Sequence, residues 1–377
     1  MKALALVGGP DHVCYRYRIE AFAWALAERE LMLQAATISP NVWRRVGQFR
    51  RARHFDLVVL QRKLLPFWQL RMLRRASRCL IYDVDDAVYQ RDSTSRKPAA
   101  SWQRMIHYWA TVYSADAVIA GNEFLRRRTM AYIAPDRLFT IPTCVEPKQY
   151  TLVTHRRTGG ASRLVWIGQR STLPSLNLCS SHLAAAEKAL PGLELRVICD
   201  AWPQLPAVRI VPCRWSAPTE AADLSEGDIG INWLPDDEWS RGKCGLKVLQ
   251  YMAAGLPVVA NPVGMNCEMV LHGRTGFLAS TPSQWAEAIA RLASDPGLRQ
   301  RMGVCGRRLV EQRFSVDRWG SEFARVVRSV VDRTAGRCEE TSPASRPSSG
   351  EVLPHPLATD WLPVESGLSP GVVASQG

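Results

Sequence analysis

An α/β architecture of two doubly wound domains in tandem is predicted by three features: short apolar runs that recur along the chain, helix-like stretches between them, and one aperiodic break. The first runs are ALALV (3–7), DLVVL (56–60), CLIYD (79–83), AVIA (117–120) and LFTI (138–141). Each suits a strand, and their alternation with helical patterns predicts a parallel sheet. The segment 147–162, with HRRTGGAS, has no periodicity and carries paired glycines, so it is expected to link two domains. A second series follows: RLVWIG (163–168), ELRVIC (194–199), VRIVP (208–212), DIGIN (228–232), PVVAN (257–261) and GFLA (276–279). These runs set a first domain over 1–155 and a second over 156–315. Ser315 is placed to cap a helix over 316–337, on which Val316, Trp319, Phe323, Val326, Val327 and Val330 share one apolar face. From 338 to 377 the chain is rich in Pro, Ser and Gly without periodicity, which predicts a disordered tail. Ligands of such sheets bind beyond the carboxyl ends of the strands, so two facing domains predict a cleft.

Composition narrows the function. The 377 residues are 46% hydrophobic and 22% charged, the balance of a globular chain with room for a sizeable core. The apolar start MKALALV meets Gly8, Gly9 and Pro10 too soon for a secretion signal, which leads us to expect a cytoplasmic protein. Ten scattered cysteines form no CxxC pair and have no histidines at zinc spacing, so neither a disulfide framework nor a metal site is expected. A net charge of +13 calls for an anionic partner: sugar nucleotide, membrane surface or nucleic acid.

The most informative stretch is KCGLKVLQYMAAGLPVVANPVG, Lys243 to Gly264. A glycine, Gly245, opens a short helix whose first N–H groups have no intrahelical partner, and such a terminus attracts phosphate. Lys243 and Lys247 flank it, with Cys244 and Leu246 in the same turn. Arg170, just after Gly168 at the end of the second domain's first strand, can converge on the same anion. Gln250 falls on the helix's inward face with Leu246, Leu249 and Ala253. A buried amide needs partners, and ribose hydroxyls or main chain satisfy it equally.

This stretch, followed by MNCEMVLHGRTGFLA and by the helices from PSQWAEAIARLA to SVDRW, resembles the carboxyl-terminal domain of the group 1 (family 4) glycosyltransferases with the GT-B fold. The resemblance covers 164–325. It implies retaining transfer of a sugar from a nucleotide-diphosphate sugar to a glycan, lipid-linked or envelope acceptor, with the donor bound mainly by the second domain and no further cofactor. It also implies that the last helix crosses back onto the first domain. Two glutamates of the family pattern E-x7-E, one on sugar hydroxyls and one on ribose, fall here on Gly242 and Gln250. The amide can keep the ribose contact, whereas Gly242 has no side chain to offer. Asp236, Asp237 and Glu238 stand nearby as substitutes or as a solvated loop. The missing glutamates leave open a second reading, a glycosyltransferase-like module that binds sugar nucleotide or glycan without transfer.

In the first domain, VGGPDHVCYRYRIEAF places Gly8 and Gly9 after the first strand and Arg16 in the helix beyond, an acceptor-side loop or a tight turn. IYDVDDAVY puts Asp83, Asp85 and Asp86 at the end of another strand. We expect Asp83 and Asp85 to orient an acceptor hydroxyl or stabilise an oxocarbenium-like transition state, with Asp86 as a helix cap. Between Val42 and Leu80 eleven cations, Arg44, Arg45, Arg62, Lys63 and Arg71 among them, face a single acid, Asp56. Trp43, Phe67 and Trp68 are interleaved with them. That mixture suits peripheral contact with an anionic inner membrane face; no nucleic-acid motif accompanies it, and nucleic acid is not an expected partner.

Overall fold

The computed structural model describes residues 1–158 and 162–340. Met1–Gly336 form one compact unit containing two six-stranded sheets. The first sheet holds β1 (Lys2–Val7), β2 (Met32–Thr37), β3 (Leu57–Gln61), β4 (Leu80–Val84), β5 (Ala117–Ala120) and β6 (Leu138–Thr140), in the order β2-β1-β3-β4-β5-β6. The second holds β7 (Arg163–Ile167), β8 (Glu194–Cys199), β9 (Arg209–Arg214), β10 (Ile229–Asn232), β11 (Val258–Ala260) and β12 (Gly276–Leu278), in the order β12-β11-β10-β7-β8-β9. Neighbours pair in parallel throughout both sheets.

Buried runs such as LVVLQ and AVIA are strands because both of their faces meet apolar layers. Leu4, Val58 and Val118 pack on one side of the first sheet, and Ala3, Val59 and Ile119 on the other. The chain reverses its direction of winding between β1 and β3, and again between β7 and β10. At such switch points the loops beyond the strands part and leave a crevice.

The last helix, Val316–Glu340, begins where the Ser315 hydroxyl accepts the Arg318 N–H at 3.2 Å. It lays Val316, Phe323, Val326, Val327 and Val330 against the first sheet's outer layer, with Phe323 stacked on Phe22 at 4.9 Å. Fully burying a side chain such as Phe323 contributes about 1.5–3 kcal/mol, so the chain's end holds its beginning. This helix runs through Glu340, beyond the expected boundary at 337; the tail foreseen after it otherwise lies outside the described residues. The connector from 147 is not loose either: the Val153 N–H donates to Ala254 O at 3.0 Å, and His155 Nε2 lies 3.0 Å from Gly255 O. No helix among the described residues is long and apolar enough to cross a membrane.

Candidate active site

A cavity of about 690 Å³ lies where the two switch points face each other. Its second-domain wall begins at Gly168, immediately after β7. A Cβ on Gly168 would stand 2.4 Å from the Trp166 ring and 2.6 Å from the Thr172 hydroxyl, so the chain passes close only as glycine. Gly245 caps the helix Leu246–Ala253 with φ +69°, a left-handed conformation that glycine adopts without strain. A Cβ there would meet the Met269 sulfur at 2.7 Å. The turn therefore keeps its shape and presents Lys243, Cys244, Gly245, Leu246 and Lys247 to the cavity, together with the unbonded N–H groups of the helix's first turn.

Lys247 Nζ sits 4.1 Å from the centroid of the Trp166 ring and 3.3 Å from the Thr172 hydroxyl. Burial, and then the Lys243 ammonium, push its pKa down to about 7. It has no acidic partner among the described residues, so the site carries a cation that an incoming anion can stabilise. Arg170 is at the rim, its N–H on Asp200 Oδ1 at 3.0 Å and its Nε 3.5 Å from Asp200 Oδ2.

The opposite wall comes from the loops after β1, β3 and β4. Arg18 grips Asp83 in a two-pronged pair, Nη2 to Oδ1 at 2.6 Å and Nε to Oδ2 at 3.0 Å, and donates to Ile141 O at 3.0 Å. Asp83 is fully buried beneath that guanidinium and does not line the cavity, which corrects its expected place beside substrate. Asp85 does line it. Its Oδ1 is buried without a hydrogen-bond partner, with Arg62 Nε 3.7 Å away. Burial opposes its charge, but Arg62 and Arg18 outweigh burial and hold the carboxyl below the usual range. Asp86 caps no helix; it joins the wall and meets Arg62 Nη2 at 2.6 Å. Burial, together with the neighbouring Asp85 charge, lifts it to about 6 against the pull of Arg62.

Arg62 is thus a cleft residue, not part of a surface patch. It holds φ +46° just after β3, a left-handed conformation that residues other than glycine seldom adopt. Gly8 and Gly9 make a tight turn away from the cavity; His12 and Cys14 line it instead. The His12 Nδ1 accepts the Cys14 N–H at 3.2 Å and so starts the helix that carries Arg18. Arg16 leaves the loop and reaches the second domain, over the Trp215 ring at 5.5 Å and 3.7 Å from Glu220 Oε2.

Two seams close the cleft. In one, Gln250 Nε2 donates to the Tyr17 hydroxyl at 3.1 Å, and that hydroxyl bonds Glu220. Gln250 lines the cavity, yet its observed partner is a side chain of the first domain rather than main chain. In the other seam, Gly242 abuts Ala87, and a Cβ would lie 2.8 Å from that residue's Cβ and N. No side chain fits at this end of the family's glutamate pattern. The nearby acids are engaged as well: Asp237 accepts from Ser93 at 3.0 Å, and Glu238 bonds Gln90 at 2.6 Å and pairs with Arg128. These two tie the domains together, while Asp236 pairs with Arg241 at 2.7 Å, and none of the three lines the cavity where a substitute would act. Among the described residues no group of three His, Cys, Asp or Glu converges as a metal centre requires.

Comparison with known proteins agrees with this architecture. Residues 224–295 match the family model described as glycosyl transferases group 1. The chain is 32% identical over 158 residues to a D-inositol 3-phosphate glycosyltransferase from Pseudarthrobacter chlorophenolicus, covering 41% of this chain and 32% of the relative. It is 30% identical over 112 residues to a GDP-Man:Man(3)GlcNAc(2)-PP-Dol alpha-1,2-mannosyltransferase from Dictyostelium discoideum, covering 29% of this chain and 21% of that one. It therefore spans at most a third of the length of these two relatives. Among solved structures, sucrose-phosphate synthase from Thermosynechococcus elongatus superposes with a TM-score of 0.70 at 17% identity, over 88% of this chain and 99% of that one. Anabaena HepE, solved with UDP and glucose, gives 0.62 at 17% identity over 87% and 100%. The fold is GT-B, and the resemblance to group 1 glycosyltransferases holds.

Proposed function

We propose that this protein transfers a sugar from a nucleotide-diphosphate sugar to a hydroxyl of a glycan or lipid-linked acceptor. One observation carries the reading: a turn of two lysines and free N–H groups faces, across a 690 Å³ cavity, the carboxylate of Asp85, whose Oδ1 has no hydrogen bond and lies 3.7 Å from Arg62 Nε. The diphosphate rests on the Gly245 turn, where Lys243 and Lys247 take up the charge that grows on the leaving group. The acceptor hydroxyl attacks the anomeric carbon from the face the diphosphate leaves, as the bond from that carbon to the phosphate oxygen breaks, and the Asp85 carboxylate stabilises the positive charge that develops on the sugar. The hydroxyl proton passes to the departing diphosphate, on the face that leaves, which gives net retention. Lysines supply the positive charge, so the step is written without a metal, and the site is expected in the cytoplasm, where nucleotide sugars are at hand. HepE, with UDP and glucose in the same fold, supports a nucleotide sugar as donor.

The sealed space beside Gly242 favours a second reading, a module that binds the nucleotide without transferring sugar. Purified protein incubated with a panel of nucleotide sugars and acceptors separates the two. Acceptor-dependent release of nucleoside diphosphate, slowed in Asp85→Asn at unchanged donor affinity, is the outcome expected for the transferase. Tight binding without release by any pair leaves only the module.

A further inference from the structure

The cleft makes no use of the exposed, aromatic part of the first domain. Helices Val42–Arg51 and Phe67–Ala76 pack together, and the second also meets the helix Trp102–Ser114. Their inner faces bury Phe49, Leu70 and Leu73, but four rings remain outside: Trp43 is 82% exposed, Trp102 77%, Phe67 54% and Trp68 51%. Scattered exposed rings mean little, whereas clustered ones mark a contact surface. These cluster, because each stands in the first turn of its helix. Arg45 Nη1 donates to Gln69 Oε1 at 3.0 Å, joining two of the helices, and the Phe67 ring meets His107 of the third edge-on at 5.2 Å. Helices of a parallel sheet start at the strands' carboxyl ends, so this face borders the cleft edge.

Charge supplies the second observation. None of the three helices contains an acidic residue, and Arg44, Arg45 and Arg104 occupy first turns, where the helix dipole disfavours cations. Burial, then Arg45 and Arg104, lower the pKa of Lys63, which places three cations within reach of one another. Helix stability gains nothing from this arrangement, but an anionic surface does.

We propose that this face docks on an anionic lipid bilayer, with Trp43, Phe67, Trp68 and Trp102 in the interface and cations such as Arg44 and Lys63 against the headgroups. Amphipathic surfaces of this kind lie in the bilayer's boundary without crossing it. The surface stands apart from the transfer reaction, because vesicle binding is measured with no nucleotide sugar present. Full-length protein is sedimented with phosphatidylcholine vesicles, with and without phosphatidylglycerol. We expect binding only to the anionic vesicles, weakened by salt, and lowered about tenfold or more in R44E/K63E. W43S/W68S/W102S is expected to lose binding at low salt as well, while both variants keep wild-type affinity for nucleoside diphosphate and so are folded. Equal binding to neutral vesicles, binding to neither, variants that bind like wild type, or tighter binding to single-stranded RNA than to anionic vesicles would each overturn the proposal.

Discussion

The two walls of the cleft hold similar numbers of charges and dispose of them differently. On the first-domain wall, Arg18 is matched by Asp83 in a fully buried pair, and the half-buried Arg62 is matched by Asp85 and Asp86. On the second, Lys247 leans on an indole and a hydroxyl, with no acid of its own among the described residues. Half-burying a cation without a counter-charge costs free energy that folding alone does not require, whereas ion pairs hold a wall in shape. Under the proposed function, the second wall is the one that awaits the anion and the first the one that faces the reacting sugar.

The strongest way to break this contrast is at its base. Asp83→Asn leaves Arg18 buried without its counter-charge and should destabilise the protein by about 3–5 kcal/mol in a denaturant titration. A stable variant with slowed turnover would return Asp83 to the substrate side. On the other wall Lys247→Ala should leave stability intact and weaken nucleoside diphosphate binding by about 1.5–3 kcal/mol, read by calorimetry. The same lysine gives the contrast a pH signature. Its pKa is lowered to about 7 in the free protein and rises when an anion binds, so affinity should be flat below pH 7 and fall up to about tenfold per unit above it. Lys247→Arg, charged throughout, should flatten that slope. The smallest effect belongs to the seam: a double-mutant cycle of Tyr17→Phe and Gln250→Ala, read by donor affinity, should show a coupling of about 0.5–1.5 kcal/mol. Strict additivity would mean that Gln250 serves the ligand independently of Tyr17.

The fold was legible wherever burial had written it into the sequence. AVIA and ELRVIC are strands over the residues their apolar runs mark, because both faces are covered. The strand Met32–Thr37 is absent from the predicted series for the opposite reason: it lies at the sheet's edge, largely exposed, and MLQAAT needs no apolar run. The turn proposed to bind phosphate was legible because Gly245 and its lysines are contiguous. The first-domain wall was legible only at Asp85, since Cys14 comes from the helix Val13–Arg18 and Arg62 from the loop after β3, and only the sheet brings them beside it. Arg62 looked like one cation among many, although its place directly after an apolar strand run was the available signal. Gly242 could be seen to lack a side chain; that Ala87 forbids one could not.

The central claim is that the Gly245 turn grips a diphosphate. Calorimetric titration of the full chain with a nucleoside diphosphate and with the same nucleoside lacking phosphate tests it most directly. The account predicts that the diphosphate binds at least about a hundredfold tighter, as two or more charge-assisted hydrogen bonds require, and that Lys247→Ala removes much of this difference. Equal affinity for the two ligands, or a preference that Lys247→Ala leaves untouched, would contradict it.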